Sequence, residues 1–209
     1  MTEPLFPLLA LSRLRMGTDG VGVTTLIAGA GCPLNCRWCI NKQLLREMSA
    51  ENVTAPELIK RVKIDDLYFR ATGGGVTFGG GESLLHAEFI RRFRALCPDE
   101  WHICAETSLS VSKELLTFAI DAVDTFIVDC KDMNGEIYRR YTSGDFSLME
   151  DNLCLLVEAI GADRIVVRVP RIPEYNTSED QEKSVERLRS MGITNLNLFD
   201  YVIHWENAE

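Results

Sequence analysis

Short β-rich runs alternate with longer amphipathic stretches from about residue 21 to the end of the chain, the pattern of repeated strand-helix units around a parallel sheet. Six strands are predicted: Val21 to Ile27, Gly75 to Phe78, His102 to Thr107, Thr125 to Asp129, Arg164 to Val169 and Asn195 to Phe199, with five helices in all. Thr54 to Glu57, Ser147 to Glu150 and Ser178 to Gln181 each match a capping box, in which side chains satisfy the orphan amides of a first helical turn. Gly161 and Gly192 suit the ends of two helices. After Ser83, the residues Leu85, Phe89, Phe93 and Leu96 share one helical face and predict core packing, with Arg91, Arg92 and Arg94 in solvent. Right-handed crossovers place helices outside a curling sheet. The expected fold is therefore α/β, a partial (β/α)6 barrel of six parallel strands open on one side, with chemistry at the carboxyl ends of the strands.

Composition narrows the classes. At 209 residues and 46% hydrophobic, residues 1–209 are expected to form one domain, with 1–20 as an N-terminal extension packed on the barrel. A net charge of -9 argues against a nucleic-acid partner. Residues 4–11 are apolar, but Pro4 and Pro7 interrupt them and no basic segment precedes them, so they do not read as a signal peptide. No run of apolar residues is long enough to cross a bilayer, and the expectation is a soluble, cytoplasmic monomer. Seven cysteines, three of them within eight positions, do not form a disulfide framework. Cys97, Cys104, Cys130 and Cys154 sit in apolar segments and are expected to pack as small hydrophobes.

Chemistry concentrates in two segments. Gly31-Cys32-Pro33-Leu34-Asn35-Cys36-Arg37-Trp38-Cys39-Ile40-Asn41 can bring three thiolates together in one loop after the first strand. Three is informative, because a cubane held by four cysteines is closed, whereas three leave one iron open. The alternative is a structural zinc needing a fourth ligand, for which His86, His102 and His204 are remote candidates. Residues 73–82 (Gly-Gly-Gly-Val-Thr-Phe-Gly-Gly-Gly-Glu) place a glycine-rich turn at the end of the second predicted strand, where bare backbone lets a ligand approach. The run lacks the Lys and Ser or Thr of a phosphate loop and the helix start of a dinucleotide fingerprint.

Cys32-x3-Cys36-x2-Cys39 is similar to the cluster motif of the radical S-adenosylmethionine superfamily, and the Gly-Gly-Gly-Val-Thr string resembles the activating enzymes of glycyl-radical enzymes, the pyruvate formate-lyase type in particular. The resemblance implies a 4Fe-4S cluster on Cys32, Cys36 and Cys39, and S-adenosylmethionine cleaved reductively to a 5'-deoxyadenosyl radical. It also implies hydrogen abstraction from a glycine of a partner enzyme, with flavodoxin or ferredoxin as electron donor. By the same resemblance Gly80, Gly81 and Glu82 hold the methionyl amino group, Trp38 lies near adenine and Asn41 closes the cysteine motif. Asp129, Lys131 and Arg168 lie beside the cofactor, and Glu106 and Thr107 with Asp129 occupy the place of a monovalent-cation site. Gly17-Thr18-Asp19-Gly20-Val21-Gly22 resembles the segment that opens those activases.

Departures are Gly79 in place of Ser, Ser108-Leu109 where a glycine commonly follows, and Val202 where the pyruvate formate-lyase activase carries histidine, with His204 two residues late. The chain reads as a minimal, single-cluster version. Three other readings remain open: an anaerobic ribonucleotide reductase activase, a radical enzyme acting on a small molecule or peptide, and a non-catalytic metal-binding or electron-carrier module.

Overall fold

The first strand, Phe6–Met16 (β1), is one that strict alternation does not announce. Pro7 lies within it, its pairing with the next strand shifts register between Leu8 and Ala10 and again between Ser12 and Arg15, and Leu14 adopts a positive φ of 55°. Such bulges break the period of two that marks a strand in sequence. Pro7 is tolerated because its carbonyl accepts from Ala30 N at 2.9 Å, and it has no amide to leave unpaired.

A computed structural model describes residues 3–202. After β1 come Val23–Gly29 (β2), Lys42–Glu47 (α1), Glu51–Val53 (β3), Ala55–Val62 (α2), Asp66–Thr72 (α3) and Gly75–Gly80 (β4). Ala87–Arg94 (α4), His102–Thr107 (β5), Lys113–Ile120 (α5), Thr125–Asp129 (β6), Gly135–Thr142 (α6) and Phe146–Ile160 (α7) follow. Ile165–Arg171 (β7), Ser178–Ser190 (α8) and Leu196–Asp200 (β8) complete the order.

The sheet runs β3-β1-β2-β4-β5-β6-β7-β8. From β2 to β8 every neighbour is parallel, which gives the six predicted strands and the open partial barrel. The correction lies at the N-terminus: β1 and β3 add two antiparallel strands, so the sheet has eight, and most of the segment read as a packed extension is part of it. Among the described residues, eight α-helices replace the five expected. The surplus arises where crossovers are broken, as at Ser143 (φ 60°) and Gly144, which separate α6 from α7.

Local signals decided most boundaries. Thr54 and Glu57 form the expected capping box, with Glu57 accepting from Thr54 N at 2.8 Å. The other two boxes shift toward earlier acceptors: Asp145 caps α7 through Ser147 N at 2.9 Å, and Thr177 pairs with Asp180 to cap α8. Gly161 ends α7, and Gly192, with φ of 85°, follows α8.

Leu85 lies in a tight turn, Ser83–His86, before α4 begins, so it and Leu96 are exposed, whereas Leu84, Phe89, Ile90 and Phe93 are buried. Arg94 is partly buried and pairs with Asp124, rather than standing in solvent with Arg91 and Arg92. Cys97, Cys104 and Cys130 are buried as expected, but Cys154 is exposed. No described helix is long and apolar enough to cross a membrane.

Candidate functional site

The loops that leave the carboxyl ends of the parallel strands converge on one cavity of about 550 Å3, within the range of small-molecule sites. The cysteine loop after β2 is anchored on α6, where Asn35 N donates to Thr142 O at 2.8 Å and Arg37 N to Tyr141 O at 3.1 Å. The glycine turn after β4 is fastened to the opposite flank of the same loop, with Gly81 N donating to Gly29 O at 3.1 Å and Glu82 N to Gly31 O at 2.9 Å. Asn41 closes the arrangement: its side chain donates to Gly80 O at 2.7 Å, tying the cysteine motif to the glycine motif across 39 residues of sequence.

Cys32, Cys36 and Cys39 all line the cavity as free thiols. Burial pushes the Cys36 thiol up to about 11, while the Lys131 ammonium pulls it down. Cys36 therefore holds its proton near neutrality unless an electrophilic metal displaces it, and such displacement is ordinary for a thiol ligand. Among the described residues no three His, Cys, Asp or Glu side chains are gathered closely enough to share one metal ion. Three thiolates on separate corners of a cubane need not be. His86 Nε2 lies 2.8 Å from Ala30 O and His102 Nε2 2.9 Å from Thr125 Oγ1, and neither ring lines the cavity. His204 lies outside the described residues.

Glu82 is 2% exposed and borders the cavity, but its carboxylate is already engaged. Oε1 accepts from Leu84 N at 3.1 Å and Thr107 Oγ1 at 2.6 Å. Oε2 accepts from Ser108 N at 2.8 Å and Ser108 Oγ at 2.6 Å. Those four donors fill the lone-pair positions a carboxylate offers. Burial raises the Glu82 carboxyl above its ordinary value and the four donors oppose that rise. Ser108, which stands where a glycine commonly follows in the resembling activases, thus contributes two of the donors.

Arg168 is the second hub. Its guanidinium meets Glu106 at 2.8 Å and both Asp129 and Asp19 at 3.8 Å, and it donates to Thr18 O. Lys131 pairs with Asp129 at 3.2 Å; burial alone would lower its pKa, but Asp129 and the neighbouring Cys36 outweigh that and hold it above the ordinary lysine value. The residues expected to cradle a monovalent cation are thus occupied within the chain: Glu106 and Asp129 by Arg168, and the Thr107 hydroxyl by Glu82.

Asp19 reaches this network because the segment 17–22 dips beneath β4 and β5. Gly20 there has φ of 130°, and a Cβ would stand 2.7 Å from Cys104 Sγ, so the path requires glycine. Asp19 also pairs with Arg15, and its carbonyl accepts from Thr77 Oγ1.

Trp38 is not part of the cavity lining. It is 7% exposed and packs with Tyr141 and Ile172, while its carbonyl accepts from the Tyr201 hydroxyl. Tyr141, Phe199 and Tyr201 line the cavity and were not foreseen. Aromatics at apolar positions are indistinguishable from core in a sequence, so no signal marked them.

Asn41→Ala tests the bridge between the motifs. Loss of one hydrogen bond is expected to cost about 1 kcal/mol in urea unfolding. Iron retention after anaerobic reconstitution should fall further than that small change suggests, because the thiol loop loses its tie to Gly80.

An open, mostly parallel sheet with a three-cysteine loop and a glycine turn facing one cavity defines the class. Residues 26–209 match the family model described as "Radical SAM superfamily", and the chain belongs to that superfamily. Among curated proteins it is similar to the "Pyruvate formate-lyase 1-activating enzyme" of Escherichia coli (strain K12), 33% identical over 124 residues, covering 58% of this chain and 50% of the relative. The "4-hydroxyphenylacetate decarboxylase activating enzyme" of Clostridioides difficile (strain 630) is 24% identical, covering 88% of this chain and 78% of the relative. The match thus spans half the length of the Escherichia coli relative. Among solved structures, Streptococcus suis SuiB shares the fold at a TM-score of 0.66 and 12% identity, over 88% of this chain and 41% of SuiB.

Proposed function

We propose that this protein uses a 4Fe-4S cluster and S-adenosylmethionine to generate a glycyl radical on a partner enzyme. The observation that carries the reading is the convergence of Cys32, Cys36 and Cys39 with the Gly80-Gly81-Glu82 turn on one cavity, fastened by the Asn41 side chain on Gly80 O. Similarity to two activating enzymes of glycyl-radical systems supplies the reaction type.

The residues fit both groups. Three thiols would hold the cluster and leave one iron open to S-adenosylmethionine. Counted as ionised, Glu82, Glu106 and Asp129 against Lys131 and Arg168 leave one negative charge in the lining. S-adenosylmethionine, with its ammonium, sulfonium and carboxylate, carries one positive charge, so the balance favours it. If both were bound, the cluster would supply one electron to the sulfonium, whose C5'–S bond would break to release methionine and leave a 5'-deoxyadenosyl radical able to take a hydrogen atom from a glycine Cα.

Around those groups the chain supplies the positioning. With Glu82 spent on Thr107, Ser108 and Leu84, a ligand ammonium would turn to the backbone of Gly80 and Gly81, which line the cavity, with one site on the Gly80 carbonyl already taken by Asn41. Arg168 and Lys131 are the cations available to a ligand carboxylate, each restrained by Asp129. Tyr141, Phe199 and Tyr201 give the cavity an aromatic wall against which the apolar part of a ligand can pack.

The test is anaerobic: reconstitute and reduce the protein, add S-adenosylmethionine, and assay 5'-deoxyadenosine and methionine with Cys36→Ala alongside. Wild type is expected to form both products and the variant at least a hundredfold less. Zinc without iron in the purified protein would sink the reading. Cleavage with no glycyl signal in a co-expressed partner would remove only its activase half.

A further inference from the structure

Three of the four donors on Glu82 come from Thr107 and Ser108, where the chain leaves β5. The backbone does not continue from there in relaxed geometry. Leu109 is buried and takes a positive φ of 58°, a left-handed conformation uncommon outside glycine, while its amide donates back to Thr107 Oγ1 at 2.9 Å. Such a conformation persists only where its surroundings fix it. Asn152, fully buried on α7, supplies the fixing: its Nδ2 donates to Leu109 O at 2.9 Å and to Val111 O at 2.8 Å, across 43 and 41 residues of sequence. Both hydrogens of the amide are thus spent on one loop, and its Oδ1 accepts from none of the described residues.

The same loop reaches a second partner. Ser110 Oγ shares a hydrogen bond with the Tyr138 hydroxyl at 3.0 Å, and Tyr138 is fully buried on α6, the helix to which the thiol loop is fastened through Tyr141 O and Thr142 O. The segment 107–110 therefore meets the glycine turn at Glu82 and the anchor of the thiol loop at Tyr138. Asn41 joins those two motifs directly, and this loop joins them a second time.

We propose that Asn152 is a positioning residue: by pinning Leu109 and Val111 it aims Ser108 at Glu82, and so sets where the glycine turn stands relative to the thiol loop. Asn152 itself does not line the cavity, so it acts only through that loop. The inference rests on the function proposed above, which makes this spacing the seat of the cluster and S-adenosylmethionine.

The test is calorimetric binding of S-adenosylmethionine to the iron-replete protein. Asn152→Leu keeps the bulk of the side chain and removes both donors; Leu156→Ala, at a buried position one turn further along α7, is the control for lost stability. Asn152→Leu is expected to bind about tenfold more weakly than wild type, and Leu156→Ala within about twofold of it. Ser108→Ala is expected to lose about threefold, and the double variant with Asn152→Leu no more than about tenfold, because both changes act on one contact with Glu82. An equal loss in Leu156→Ala, or single losses that multiply in the double variant, would overturn the proposal. If iron-replete wild type binds no S-adenosylmethionine, the proposed function falls, and amide hydrogen exchange in the apoprotein decides the positioning claim. The amides of Glu82 and Leu84 should then exchange at least about tenfold faster in Asn152→Leu than in Leu156→Ala, and equal exchange would overturn it. Where Asn152→Leu does not retain iron, Asn152→Ser, which keeps one donor, takes its place with an expected loss of about threefold.

Discussion

Arg168→Gln is expected to lose about 2–4 kcal/mol of unfolding free energy at pH 8, and about half as much at pH 5. The guanidinium faces three carboxylates, Glu106 at 2.8 Å and Asp129 and Asp19 at 3.8 Å, in a site where the Arg168 and Glu106 side chains are 16% and 18% exposed. A neutral amide leaves three negative groups together with only Arg15 and Lys131 as partners. Burial already raises the Glu106 carboxyl above its ordinary value of 4.5, and Arg168 is the largest influence opposing it.

The sign follows from linkage. A carboxyl whose folded value is raised binds more protons folded than unfolded, so its contribution is present at low pH and is lost as pH rises toward the folded value. Removing Arg168 lifts that folded value further and widens the window, so the variant's deficit grows from pH 5 to pH 8. Urea unfolding at both values reads it directly. A deficit independent of pH would mean that Arg168 acts through packing and its bond to Thr18 O, not through charge.

How much of this was legible beforehand depended on whether a signal was local. The strands His102–Thr107 and Thr125–Asp129 coincide with their predicted bounds, because each is a short apolar run with turn residues on both sides. Thr54 and Glu57 carry their cap within four residues. β1 was not legible, since Pro7, the register shifts and Leu14 erase its alternation, and only pairing with β2 and β3 makes it a strand.

The site divides in the same way. The thiol loop and the glycine turn are contiguous motifs, and both reach the cavity. What could not be read was who pairs with whom: Ser108 was marked only as a departure, and Asp19 only as part of an opening segment. Their roles depend on contacts across 26 and 149 residues. Trp38, which the resemblance puts near adenine, packs with Tyr141 and Ile172 and does not line the cavity, a surrounding that its place beside Cys39 does not disclose.

Glu82→Ala is expected to be the most damaging single change to the fold around the cavity, about 3–5 kcal/mol in denaturant unfolding, with Glu82→Gln losing about 1–2 kcal/mol less. Thr107 and Ser108 can turn their hydroxyls elsewhere, but the amides of Leu84 and Ser108 are fixed by the backbone and lose their acceptor where water does not reach. Gln keeps the volume, yet each carboxylate oxygen accepts one backbone amide and one hydroxyl, so either orientation of the Gln amide sets its NH2 against a donor. Two roles for Glu82 thereby become separable. A residue that braces the glycine turn loses stability in the absence of any ligand, and rescue should follow the order Gln over Ala. A residue held in reserve for a ligand ammonium would leave apoprotein stability nearly unchanged and weaken only S-adenosylmethionine binding. The four short bonds predict the first result, and unfolding of both apoprotein variants beside wild type distinguishes the two.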